Sequence, residues 1–340
     1  MPGTRTAPLA QVPRPLAPAT PRGRPPLAGR LLRAALGIDP AEATFARRGF
    51  AGAGEARQRL ETVGTAFLAG YHAALERAGD PDALPAALGR VDAELRGFAY
   101  EGAAMAVALL DALMPWRRPR FAAFVRGAGA PHVYMLHVGA GWALARLRRP
   151  LRGVPAGMDP LLGWLAADGY GFHEGYFHPW RTVGAGAVPD RVTGYARRAF
   201  DQGVGRSLWF VCGAEAGRIA AAIGSFGAER RCDLWSGVGL ACAYAGGCPP
   251  AEAEALSVLS AAHRPALAQG AAFAAGARGR AGNPAPHTDL ACRRLCGCSA
   301  HDAAAVVDAA AEDLTPHGDL PAYEVWRLRI QRHFAVEGRA

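Results

Sequence analysis

Four acidic or amide residues each stand one position before a glycine: Glu101–Gly102, Glu174–Gly175, Gln202–Gly203 and Gln269–Gly270. A carboxylate held in a largely apolar cleft has its pKa raised, and near neutral pH it can give or take a proton. Glu101 and Glu174, with His173 beside the latter, are therefore the candidate catalytic residues. Gln202 and Gln269, with Trp142, Tyr176 and Trp235, are the candidate substrate-binding residues. A missing side chain lets a ligand or a neighbouring helix approach, and the aromatics would complete a polar-edged apolar groove. The competing reading has the same groups bonding backbone or arginine inside a packed bundle. Ion-pair networks imitate functional sites, and residue types alone weigh more heavily toward that structural role.

Other clusters fail on spacing. His173-Glu-Gly-Tyr-Phe-His178 sets five positions apart two imidazoles that a zinc-protease helix needs four apart. His287-Thr-Asp289-Leu-Ala-Cys292-Arg-Arg-Leu-Cys296-Gly-Cys298 lacks paired Cys-x-x-Cys units and reads as buried thiols, with Thr288 or Asp289 as a helix cap. No metal site and no cofactor is assigned. The chain contains no lysine, which excludes a phosphate loop ending in Gly-Lys-Ser/Thr, a kinase-type ATP lysine and any lysine Schiff base. Gly203-Val-Gly205 and Gly237-Val-Gly239 lack the strand that a dinucleotide loop follows. The arginine groups at 117–120, 146–152 and 191–198 sit in no nucleic-acid-binding signature and read as solvated surface.

The elements that must position these residues are helices. Six glycines recur in a shared setting, at 102, 139, 175, 203, 237 and 270, with spacings of 37, 36, 28, 34 and 33 residues. An apolar residue generally lies three positions before each. A small one lies two positions after, except Phe177. Glycine inside a helix costs about 1 kcal/mol relative to alanine, so six imply close packing of helix backbones in return. The expectation is an all-α array of antiparallel hairpins, a degenerate solenoid-like repeat of period 33–38. Apolar spacing predicts helices over 57–78 and 99–114. Asp190 is a candidate cap, Pro250 suits a first turn, and Ser299 with Asp302 resembles a capping box. Residues 321–335 predict a last amphipathic helix, with Val325, Leu328 and Phe334 on its apolar side and Arg327, Arg329 and Arg332 elsewhere.

Residues 1–28 read as a Pro/Arg-rich unfolded tail, 29–335 as one helical domain and 336–340 as a second tail. The net charge of +9 owes much to six arginines ahead of the first acid, Asp39. Without a continuous apolar stretch or a secretory signal, and with seven cysteines, the chain reads as cytoplasmic with reduced thiols and no transmembrane segment.

Gly97-Phe-Ala-Tyr-Glu-Gly-Ala-Ala-Met-Ala-Val-Ala-Leu-Leu-Asp111, Pro189 to Gly203, Asp233-Leu-Trp-Ser-Gly-Val-Gly-Leu-Ala-Cys-Ala-Tyr-Ala-Gly-Gly247 and His287-Thr-Asp-Leu-Ala-Cys292 resemble the domain of unknown function 1702 family, associated with enediyne antibiotic biosynthesis. The resemblance covers roughly 29–335. It implies an accessory role beside the polyketide synthase that makes a polyene precursor, and it carries no catalytic residues. Two functions follow as expectations. In one the chain acts on or holds the polyene-derived intermediate in the Glu/Gln-lined groove. In the other it is a non-enzymatic scaffold or protective protein bridging biosynthetic enzymes. Its partner is thus an apolar polyene-type molecule or those enzymes, with no nucleic acid, and whether it is an enzyme stays open.

Overall fold

The computed structural model describes residues 26–337 apart from 79, 81, 117 and 118. The predicted N-terminal tail therefore lies outside the described residues up to residue 25, and the C-terminal tail does so from 338. The α-helices are α1 (Leu27–Leu36), α2 (Phe45–Arg48), α3 (Gly54–Glu76), α4 (Ala83–Leu88), α5 (Arg96–Leu113), α6 (Arg120–Arg126), α7 (Val133–Arg146) and α8 (Leu165–Phe177). They continue as α9 (Ala196–Val211), α10 (Ala216–Gly224), α11 (Ala228–Ala245), α12 (Pro250–Leu259), α13 (Arg264–Ala281), α14 (Pro286–Leu295), α15 (Ala300–Ala310) and α16 (Ala322–Glu337). The described residues form no strand, only isolated bridges such as Leu151 with Val192. The chain is all-helical, as its periodicity predicts, and no described helix is long and apolar enough to cross a membrane.

Local chemistry accounts for most boundaries. Pro250 opens α12 where its missing N–H is harmless, and the Asp302 N–H donates to Ser299 Oγ (3.1 Å) to start α15. Asp190 does not cap α9. Gly194 takes a left-handed φ of +61°, which breaks the helical path, and α9 begins only at Ala196. Thr288 and Asp289 do not cap their own helix either: Thr288 Oγ1 donates to Ala243 O (2.7 Å), and Asp289 Oδ1 accepts from Ala300 N (2.9 Å), capping α15. In α16 the buried side chains are Tyr323, Glu324, Trp326, Arg327, Ile330 and Phe334, whereas Val325 and Leu328 are only partly covered. Arg327 turns inward because Asp233 (2.7 Å) and Glu324 (3.0 Å) wait there to neutralise it.

The glycines follow one rule. Five of the long interfaces carry one glycine from either side, and a Cβ on it would overlap the carbonyl oxygen three residues before the facing glycine. The facing pairs are Gly70/Gly102, Gly141/Gly169, Gly171/Gly203, Gly205/Gly237 and Gly239/Gly270. Residue numbers fall on one helix as they rise on the other, so the paired helices are antiparallel. The α5/α7 interface follows the same rule with Ala104 facing Gly139. Within a helix, positions i and i+2 are 200° apart, so a Gly-x-Gly pair serves the preceding helix with its first glycine and the following helix with its second. This corrects the predicted register in α8. The interface glycines of α8 are Gly169 and Gly171; Gly175 packs on Ser207 instead. With Gly169 the spacings become 37, 30, 34, 34 and 33, and the exception at Phe177 disappears.

Helices α3, α5, α7, α8, α9, α11 and α13 thus pack in chain order. In an open solenoid each unit touches only its neighbours. Here contacts also cross the row: Arg59 of α3 donates to Ala245 O at the end of α11 (2.8 Å), and Tyr244 of α11 meets Phe98 of α5 edge to face at 5.1 Å. The row curls around a shared interior.

Gly203→Ala or Gly237→Ala is expected to cost about 2–3 kcal/mol or more, because the added methyl drives two backbones apart. Gly217→Ala in α10, whose Cβ would meet nothing within 4 Å, is expected to gain about 0.5 kcal/mol. Denaturant unfolding of the three variants is the check. Equal effects would reject the close-approach account.

Candidate functional site

The curl of the row encloses a slot. Its wall takes the residue three positions after the first repeat glycine of four successive helices: Trp142 of α7, Phe172 of α8, Arg206 of α9 and Leu240 of α11. Phe67, Phe98, Tyr176 and Tyr244 add aromatic faces, and Glu101 of α5 contributes a carboxyl. The slot is narrow, with a cavity volume of about 50 Å³. Trp142 lies against Phe67 (4.6 Å between ring centres), Phe172 (5.0 Å) and Tyr176 (6.1 Å). The Arg206 guanidinium sits 4.7 Å above the Phe172 ring.

The electrostatics converge on Glu101. Trp142 Nε1–H donates to its Oε1 (3.1 Å), and Arg206 lies 3.7 Å from the same oxygen while pairing directly with Asp168. Burial raises the Glu101 pKa to about 7; Arg206 and Trp142 pull it down, and Asp168 adds to the rise. Burial also works against the charge on Arg206, but Asp168 and Glu101 outweigh it and hold the guanidinium charged. Burial raises the Tyr244 phenol as well, with Arg278 opposing and Glu101 reinforcing. The slot thus holds a buried carboxyl with a raised pKa amid aromatic and aliphatic surface.

The other predicted residues divide between two places. Gln202 and Gln269 are buried in a polar chain behind the slot. Gln202 Nε2 donates to Asp168 Oδ2 (2.7 Å), and Ser236 Oγ donates to Gln269 Oε1 (2.8 Å). Gln269 Oε1 also accepts from Gln331 Nε2 (3.3 Å) of α16. Trp235 is buried in the core, and neither it nor these two amides lines the slot. Here the packed-bundle reading accounts for the observed bonds. Asp168, Arg206 and Tyr244 are the polar wall and support residues missing from the sequence reading. Asp168 precedes Gly169 just as Glu101 precedes Gly102, so the correct glycine register points to it.

Glu174 and His173 line a second cavity of about 420 Å³. His173 Nδ1–H donates to Glu174 Oε1 (3.3 Å). Burial pushes Glu174 up, but His173, His178 and Arg191 outweigh it and hold its carboxyl below the usual range. Burial lowers His173, which favours its neutral form. The Glu174 carboxyl is thus shifted down where that of Glu101 is shifted up.

A family model described as a protein of unknown function (DUF1702) matches residues 27–334, and the chain belongs to that family. No curated protein and no solved structure matches it.

The raised Glu101 pKa ties stability to pH. The folded state holds this proton more tightly than the unfolded chain, so the contribution is complete below pH 4.5 and is lost as pH rises to about 7. Some 2.5 pH units at about 1.4 kcal/mol each give a loss of roughly 3–4 kcal/mol across that window. Glu101→Gln is expected to remove this fall and to gain on the wild type between pH 5 and pH 8 by roughly that amount. Urea unfolding at both pH values measures it, and parallel curves for the two proteins would place the Glu101 pKa in the ordinary range.

Proposed function

We propose that this member of the family holds a linear, conjugated apolar chain in the Glu101 slot and moves a proton to or from it, as an accessory step in the biosynthesis of an enediyne-type polyketide. The observation that carries the reading is one proton-exchanging carboxyl, Glu101, in a narrow slot walled by Phe67, Phe98, Trp142, Phe172 and Tyr176. Flat sp² chains fit between aromatic faces, and pockets for such ligands carry few polar groups. A neutral Glu101 gives its proton to a chain carbon, and the carboxylate left behind takes one back from another position. Such an exchange balances without any redox partner and moves unsaturation along the chain. The degenerate repeat belongs to this proposal: its glycine interfaces supply the curvature that closes the slot.

Deleting the gene in a strain that carries it, then restoring it as wild type or as Glu101→Gln, tests the reading. Deletion is expected to abolish the polyketide product and to accumulate a linear unsaturated chain, which the wild type clears. Glu101→Gln is expected to restore about a hundredth of the product or less, since positioned acid–base groups contribute about 10²-fold or more. Full restoration by Glu101→Gln would leave a holding or protective protein without proton chemistry. Unchanged product on deletion would remove the biosynthetic role.

A further inference from the structure

The second cavity shares Ile38, Glu42 and Phe177 with the wall of the slot, so the two spaces adjoin. Their characters are opposite. Around the second cavity stand five arginines (Arg48, Arg146, Arg148, Arg181 and Arg191) against two glutamates, Glu42 and Glu174. Glu42 is taken by Arg48 (2.6 Å), and Glu174 accepts from His173. Among the described residues the other four arginines have no carboxylate within ion-pair distance. Two of them are nonetheless held in place by neutral groups. Arg146 donates to Tyr71 Oη (2.8 Å) and Leu36 O (3.1 Å), and Arg191 donates to Tyr170 Oη (2.6 Å). Hydrogen bonds to neutral oxygens orient a guanidinium without cancelling its charge.

Arg148 adds an independent sign. Helix α7 ends at Arg146, and the chain turns off through Arg148 at φ +52°, with Arg148 N donating to Ala145 O (2.9 Å) and Arg149 N to Leu144 O (2.9 Å). This closing turn places its left-handed residue where glycine is the favoured choice. An arginine there spends conformational energy, and its side chain lines the basic cavity.

We propose that the basic cavity binds the ionised head of an amphipathic ligand, a linear long-chain carboxylate whose apolar chain runs past Phe177 and Ile38 into the Glu101 slot. The assignment rests on the slot reading above for the chain and on the arginines for the head. Forked arginine donors suit a carboxylate, and an anion here supplies the charge that the protein itself leaves out. The head is thereby fixed at one end, which sets the register of the chain against Glu101.

Fluorescence titration of the full chain with parinaric acid, a linear conjugated acid, and with its uncharged methyl ester is the test. The acid is expected to bind about tenfold or more tightly than the ester, with the advantage shrinking at high salt. Arg148→Gly combined with Arg181→Gln is expected to bring the acid down to the level of the ester while leaving the ester unchanged. Arg148→Gly alone is expected to raise the thermal midpoint while weakening the acid, which separates lost binding from lost folding. Equal binding of acid and ester by the wild type, or a preference that survives the double variant, overturns the head site. Ala241→Leu, which narrows the slot, is expected to weaken both ligands. Failure of both to bind, or indifference to Ala241→Leu, would instead remove the slot reading and this one with it.

Discussion

The contact on which this structure depends is a glycine Cα lying against a backbone carbonyl of the next helix, made twice at most long interfaces. Neither side chains nor a conventional apolar seam separates the helices there. Backbones meet directly, at a spacing where Cα–H groups face carbonyl oxygens, contacts individually weak and repeated down the row. Each glycine loses about 1 kcal/mol of helix propensity, and close dispersion contact along both backbones offsets it. Such an interface has no tolerance, since a single methyl has no room. The same rigidity fixes the residues beside the glycines. Glu101, Asp168, Gln202, Ser236 and Gln269 each precede a repeat glycine, and all are buried. Four of them, Asp168 to Gln269, join in a chain of hydrogen bonds or close polar contacts.

Much of this was legible in the sequence, and its failures have identifiable causes. The glycine setting gives the helices and their order. Glu101, Trp142 and Tyr176, all singled out beside such glycines, line one slot. The reading failed where two glycine patterns overlap. Helix α8 contains Gly169, Gly171 and Gly175, and the Glu before Gly175 mimics the repeat better than the Asp before Gly169. Choosing Gly175 put Glu174 among the slot residues and lost Asp168. Arg327 was misplaced for a different reason. Charge normally marks a solvated face, and nothing local in α16 reveals that Asp233, far away in sequence, lies ready to pair with it. Partners across the row, such as Tyr244 with Phe98 or Arg206 with Glu101, are set by its curl, which one chain's periodicity does not encode.

The curl also sets Glu101 and Asp168 against the same cation. One buried guanidinium, Arg206, faces both carboxyls. It pairs directly with Asp168 and reaches Glu101 only at 3.7 Å. Asp168 has a further donor in Gln202 (2.7 Å), whereas Glu101 has the indole of Trp142 (3.1 Å). Two anions cannot share one cation equally in a medium that screens poorly. Glu101 is the less directly paired of the two, and burial raises its pKa to about 7. The arrangement needs both carboxyls. Burial and Asp168 push the Glu101 pKa up, and Arg206 and Trp142 pull it down. A carboxyl balanced between these limits, walled by aromatic rings and bordered by arginines that lack acidic partners, is the part of the molecule that packing alone does not explain.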